Sequence, residues 1–275
     1  YSKDTGKKIF AAWFGEGNQS TNEMICKETI KSLCDGKTFY TYQNGIPKIR
    51  EALSNYMNNV FGLNLSPENN SLVTGGMLGI KIICDMLIDK DDEVVIVGPV
   101  WPNIRSSVIL RQGRVREVSL RLKNKWQLDL KELFDSISDK TKMVFINSPS
   151  NPTGWMLTES EQEEISTFIR KKNCWLIADE VYHQIVYDRA VSPSFLQFAK
   201  PNDKLIVINS SSKSFNMTGW RIGWLSHPEF LGEHIAKLVQ ISTTGVPEFL
   251  QEGFFRALIN YKSIVKDVKK GLKQS

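Results

Sequence analysis

The sequence predicts an α/β protein with a mostly parallel sheet covered by helices on both faces. Two observations predict it. Apolar runs of four to six residues recur along the chain, too short for helices and too continuous for strands with one wet face. Longer stretches with a helical period alternate with them. A third observation concerns function: polar and glycine-rich residues follow the apolar runs, where open α/β sheets bind their ligands.

The elements follow in order. Residues 22–34 read as a helix capped at Thr21 or Asn22, and 46–60 as another with Pro47 in its first turn. Val73-Thr74-Gly75-Gly76 leads into a helix over 77–89. Glu93 to Val97 is a strand ending in Gly98-Pro99; a helix follows, then a strand from Arg114 to Leu120. Met143 to Ile146 is a strand that runs into a turn, and Thr158 to Lys172 is an amphipathic helix. Cys174 to Ala178, Leu205 to Ile208 and Arg221 to Leu225 read as the remaining strands. Near the C-terminus, Ile264, Val265, Val268 and Leu272 give the lysine-rich stretch from Lys262 to Lys273 the period of an amphipathic helix, not of a nucleic-acid-binding tail.

Composition narrows the class. The 275 residues are 41% apolar and 24% charged, as in ordinary globular domains. No apolar run approaches a membrane span, and the chain opens at Tyr1 without a signal-like head. The net charge of +5 comes from dispersed lysines and reads as solvated faces rather than a nucleic-acid site. Cys26, Cys34, Cys84 and Cys174 form no C-x-x-C pair, and His183, His227 and His234 are scattered. No metal site is expected, and the thiols fit a reduced, cytoplasmic protein.

The chemistry gathers around Lys213, which follows Leu205–Ile208 among Ser210, Ser211 and Ser212, with Arg221 eight positions on. A lysine at a strand end is usually a solvated charge. Here a nearby cation favours its neutral amine, which can form an imine with an aldehyde, while a planar guanidinium can grip a phosphate. Asp179 ends another apolar run; it could cap a helix, or pair with a protonated pyridine nitrogen. Tyr182 is either an interior tyrosine or a donor to a ring oxygen, and Asn151 either part of a Pro-Gly turn or a second partner for that oxygen. Gly75-Gly76-Met77 opens a helix whose amides suit a phosphate, and Trp101 could stack on an aromatic ring or fill the core. Together these residues point to pyridoxal 5'-phosphate (PLP).

Ser210-x-x-Lys213-(seven residues)-Arg221-x-Gly223, Asn151-Pro-Thr-Gly154, Ala178-Asp-Glu-Val-Tyr182 and Tyr40-Thr-Tyr-Gln-Asn-Gly45 occur in one chain. Their set resembles the class I/II, fold type I PLP-dependent aminotransferases, the aspartate aminotransferase superfamily, over nearly the whole length. The resemblance implies a three-layer α/β/α large domain with about seven strands over residues 22–260. It places 1–21 with the small domain and makes 261–275 the start of an interdomain helix. It also implies that Lys213 holds PLP as an aldimine and moves protons, and that Asp179 pairs the pyridine nitrogen. Tyr182 and Asn151 would hold the ring oxygen, and Trp101 would stack. Ser210, Arg221 and the Gly75-Gly76-Met77 segment would bind phosphate. Gly15 would lie by the substrate carboxylate with Trp101 and Asn151 near it, and Trp13 and Phe14 would line an apolar substrate pocket or pack the domain interface. Tyr40 would reach the partner's phosphate in a homodimer. The implied reaction moves an amino group from an L-amino acid to a 2-oxo acid by ping-pong kinetics.

Two departures stand out. Ile104 occupies the place where some aspartate aminotransferases carry a histidine that supports the pyridine-binding aspartate. Family members also continue well beyond the helix near Lys262, into most of the small domain and an arginine that clamps the substrate. The chain therefore reads as a piece of a longer protein or as a form that cannot transaminate alone. A carbon–sulfur lyase of the same fold and a PLP-sensing domain of an aminotransferase-like regulator remain as alternatives.

Overall fold

The structure, a computed structural model, describes residues 5–6 and 15–274. Helix α1 (Glu23–Cys34) starts where the Asn22 side chain accepts the Met24 amide. Pro47 occupies the first turn of α2 (Pro47–Phe61), which ends at Gly62 in the left-handed region. Then follow β1 (Asn70–Val73), α3 (Gly76–Leu87), β2 (Glu93–Gly98), α4 (Asn103–Leu110) and β3 (Arg114–Ser119). A two-stranded hairpin, β4 (Arg121–Leu122) and β5 (Trp126–Gln127), and α5 (Leu130–Ser136) precede β6 (Thr141–Asn147). Helix α6 (Glu159–Lys172) begins with a reciprocal cap between Thr158 and Glu161. The chain continues through β7 (Trp175–Asp179), β8 (Leu205–Ser210), the single turn α7 (Ser211–Ser214) and β9 (Gly223–Ser226). Helices α8 (Gly232–Ser242), α9 (Glu248–Ile259) and α10 (Tyr261–Gln274) complete it.

Seven strands form one sheet in the order β1-β9-β8-β7-β6-β2-β3. Only β9 runs against its neighbours; the other pairings are parallel. The side chains alternate between two cores. Leu176, Ala178, Val207 and Trp224 face a core with α2 and α9, while Ile177, Ile206 and Ile208 face α3 and α8. Burying each aliphatic side chain contributes about 1.5–3 kcal/mol. Both faces are therefore covered, as the continuous apolar runs predict.

The register sets the site. Asn147 lies opposite Asp179, and Asp179 opposite Ile208, so β6, β7 and β8 end at one rim. Antiparallel β9 starts at that rim, because Gly223 pairs with both Ser210 and Val73. One expectation is corrected here: Arg221 does not open this strand. It sits before β9 in the left-handed conformation, φ +57°, which breaks the extended run. The helix after Gly76 starts at Gly76 itself, and α5, α8, α9 and the hairpin had no counterpart in the sequence reading.

Among the described residues no helix is long and apolar enough to cross a membrane, and no group of His, Cys, Asp and Glu could hold a metal. All four cysteines are free. Burial pushes the Cys84 thiol up to about 12 and the Cys174 thiol up to about 11, which leaves both protonated.

Candidate active site

The rim encloses a cavity of about 360 Å³, lined among others by Gly76, Met77, Trp101, Asn151, Asp179, Tyr182, Ser210, Lys213 and Arg221. Gly15 lines it too, whereas Trp13 and Phe14 lie outside the described residues. Segments more than a hundred residues apart meet here because β6, β7 and β8 end, and β9 starts, at one rim.

One end suits an anion. Gly76 and Met77 open α3, so their amides lie at the positive end of a helix with no partner inside its first turn. Gly75 precedes them at φ +86°, ψ 155°, a region only glycine enters freely. Glycine is also required by space: a Cβ there would lie 2.4 Å from Arg221 Nη2. Arg221 Nη1 donates to the Thr218 carbonyl at 2.7 Å, which holds the guanidinium beside the helix start. Ser210 Oγ accepts the Ser212 amide at 3.1 Å and donates to Ser212 Oγ at 2.9 Å or to the Ile222 carbonyl at 3.2 Å. Gly223 lets the backbones close up, since a Cβ there would meet Gly76 N at 2.7 Å.

The other end suits a cation. Asp179 is buried, and Val181 N–H donates to its Oδ1 at 3.2 Å. Burial raises its carboxyl to about 6, against the Val181 hydrogen bond and the Lys213 charge. Helix capping is excluded, because turns rather than a helix follow β7. The adjacent Glu180 has no exposure; the Phe195 amide donates to its Oε1 at 2.9 Å, and burial pushes it up to about 8. Glu180 does not line the cavity, so Asp179 is the carboxylate available to a bound cation.

Between the two ends stand the remaining groups. Asn151 Nδ2 donates to Tyr182 Oη at 3.3 Å, which brings together the two residues expected to hold a ring oxygen. Asn147, unassigned by the sequence reading, builds this corner: its Oδ1 accepts the Asn151 amide at 2.7 Å, and its Nδ2 donates to the Asp179 carbonyl at 2.9 Å. Its only sequence signal is its place as the last residue of an apolar run. The Trp101 amide donates to the Asn151 carbonyl at 3.0 Å, and the indole remains 38% exposed on the wall. Lys213 Nζ lies 5.7 Å from the Tyr182 ring centroid and donates to the Gly15 carbonyl. Burial lowers the Lys213 pKa; Glu16 opposes the shift and Arg221 adds to it. An amine whose pKa burial lowers thus shares a cavity with a buried carboxylate and an anion cradle, a donor set that fits a phosphorylated, cationic aromatic aldehyde.

Two expected residues do not line this cavity: Gly75, which stands behind it against Arg221, and Tyr40. Tyr40 is 90% exposed, between Phe39 and Tyr42, which are also exposed. Ile104 is buried in the core beneath α4 and offers Asp179 no hydrogen bond.

The family model for class I and II aminotransferases matches residues 12–274. The chain belongs to this family. A probable aspartate/prephenate aminotransferase of Aquifex aeolicus is 34% identical over 94% of this aminotransferase chain and 66% of its own length. The Thermus thermophilus aspartate aminotransferase solved with maleate superposes with a TM-score of 0.92 at 28% identity, over 98% of this chain and 70% of that one. The aromatic aminotransferase of Pyrococcus horikoshii gives a TM-score of 0.87 at 29% identity, covering 94% and 70%. The fold is therefore that of the fold type I aminotransferases, and the chain spans about two thirds of the relatives it matches.

Proposed function

We propose that this chain forms the cofactor-binding part of a PLP-dependent aminotransferase that moves an amino group from an L-amino acid to a 2-oxo acid. The observation that carries it is the single cavity holding Lys213, Asp179, Tyr182, Asn151 and Arg221 together. When bound, PLP supplies an aldehyde that captures the amino group and a cationic ring that accepts electrons from the substrate's α-carbon.

The chain's own residues do the rest. Arg221, Ser210 and the amides of Gly76 and Met77 hold the phosphate, with Gly75 giving the guanidinium room. Asp179 pairs with the ring nitrogen and keeps it protonated. Tyr182 and Asn151 hold the ring oxygen, and Trp101 covers one ring face. Lys213 Nζ would anchor the cofactor and, once the substrate's amino group has displaced it, would carry the proton from the substrate's Cα to the cofactor's former aldehyde carbon. Its half-buried place beside Arg221 raises the fraction of neutral amine needed for both tasks. Gly15, whose carbonyl already meets Lys213, lies where the substrate carboxylate enters.

The exposed Phe39-Tyr40-Thr41-Tyr42 segment fits a homodimer in which Tyr40 completes the partner's phosphate site. Residues 22–260 form the large domain in this reading. The segment from Gly15 belongs with the small domain and α10 starts the interdomain helix, consistent with Gln19 packed where a Gly271 side chain would stand. The relatives cited are aminotransferases, and no observation favours the lyase or the sensing reading.

The test is an absorbance spectrum with added PLP for the wild type and Lys213→Ala, before and after amino acids. A lysine-dependent band that amino acids convert and 2-oxo acids restore supports the proposal. A band identical in both proteins overturns it.

A further inference from the structure

Asp179 lacks the supporting histidine of some relatives, yet it is not without support. Val181 N–H donates to Asp179 Oδ1 at 3.2 Å. The same peptide unit carries the Glu180 carbonyl, and that oxygen is held by His183 twice: by its backbone N–H at 2.9 Å and by ring Nδ1 at 3.0 Å. A carbonyl only accepts, so Nδ1 carries the proton. His183 has no exposure, and burial takes its pKa down to about 4, so the ring holds one proton. Nε2 is then an acceptor, and the Tyr56 hydroxyl, 2.7 Å away, donates to it. Tyr56, on α2, is itself buried. The ring cannot turn freely, with Trp224 edge-on at 6.3 Å and Phe61 at 5.8 Å.

These groups form one directed chain from Tyr56 O–H to His183, through the 180–181 peptide, to the Asp179 carboxylate. A donor on a peptide oxygen polarises the unit and strengthens its N–H, and successive hydrogen bonds reinforce one another at low dielectric. We propose that His183 is a positioning residue for Asp179. Together with Tyr56 it supports the carboxylate through one peptide bond, in place of the side-chain histidine that Ile104 displaces. This rests on Asp179 being the ring-pairing carboxylate. Lys213 and Tyr182 face that carboxylate from across the cavity and the Glu180 carboxyl lies beside it in the chain; none of these three side chains belongs to the relay.

The test compares His183→Leu, His183→Asn and Tyr56→Phe in the 275-residue chain without cofactor, following the Asp179 carboxyl through its titration by carbon NMR. His183→Asn keeps an N–H donor on the atom next to Cβ–Cγ; His183→Leu fills the space without one. A midpoint raised by roughly half a pH unit or more in His183→Leu, a smaller rise in Tyr56→Phe and a value near wild type in His183→Asn support the relay. A folded His183→Leu with an unmoved midpoint overturns it. So does His183→Asn behaving as His183→Leu, which would assign the effect to packing. If His183→Leu does not fold, Tyr56→Phe decides, since it removes one oxygen; an unmoved midpoint there overturns the relay. PLP titration of Asp179→Asn separates the two readings: undiminished affinity removes Asp179 from the cofactor site, whatever the midpoints do.

Discussion

Gly75 and Arg221 share one space: the position of a Gly75 Cβ lies 2.4 Å from Arg221 Nη2, and each residue has a positive φ. The chain is strained or glycine-dependent on both sides of the anion cradle, and its strands hold it so. Gly75→Ala must abandon φ +86° or push the guanidinium aside. We expect it to lose about 1–3 kcal/mol of stability and at least tenfold in PLP affinity. Thermal unfolding and a PLP titration check both; wild-type affinity would mean that Arg221 does not hold the phosphate.

Burial makes the Asp179 carboxylate costly to the folded chain. Its carboxyl ionises near 3.8 in the unfolded chain and at about 6 when folded. The folded state therefore binds the proton more tightly, and stability falls as pH rises through the window from about 4 to 6. The step is worth about 3 kcal/mol at neutral pH. Asp179→Asn removes it, so without cofactor that variant should melt higher than wild type at pH 7.5, with the gap closing near pH 4. The same variant should bind PLP poorly. Equal melting at pH 7.5 would show that the carboxylate is not buried unpaired.

Much of this was legible in the chain because parallel strands buried on both faces are written as short apolar runs, and the reactive groups stand one step beyond them. Lys213, Asp179 and Asn151 could be located that way. Helix α9 could not: Gln251 and Glu252 occupy buried positions and hide its period. The structure explains them, since Gln251 takes the Ile46 amide and gives to the Val246 carbonyl, while Glu252 pairs with Lys37 and Lys48. Arg221 reads as strand because its neighbours are apolar, and its left-handed φ comes from the rim it must reach. The Tyr56–His183 contact joins residues 127 apart and has no local signal at all.

Gly223 shows how closely β9 must approach α3. An added Cβ would stand 2.7 Å from Gly76 N and 2.9 Å from Asn209 O, both backbone atoms that cannot turn away. Gly223→Ala should cost about 1–3 kcal/mol or more by overpacking, and should weaken phosphate binding by displacing Gly76. Chemical denaturation measures the first and a PLP titration the second. A loss of stability with unchanged affinity would separate Gly76 from the cradle.

Tyr40 tests the shared site. In one chain its ring is 90% exposed and outside the cavity, so by itself it has nothing to do there. A hydroxyl bonded to a partner's phosphate is worth about 1.5–3 kcal/mol, so Tyr40→Ala should weaken PLP binding by about 10–100-fold. Mixing Tyr40→Ala with Lys213→Ala discriminates further. A mixed dimer places the intact Lys213 of one chain and the intact Tyr40 of the other in the same site, restoring tight, lysine-dependent absorbance at one site in two. Sites built from a single chain would give no restoration at any mixing ratio, and the proposed dimer would fall with that result.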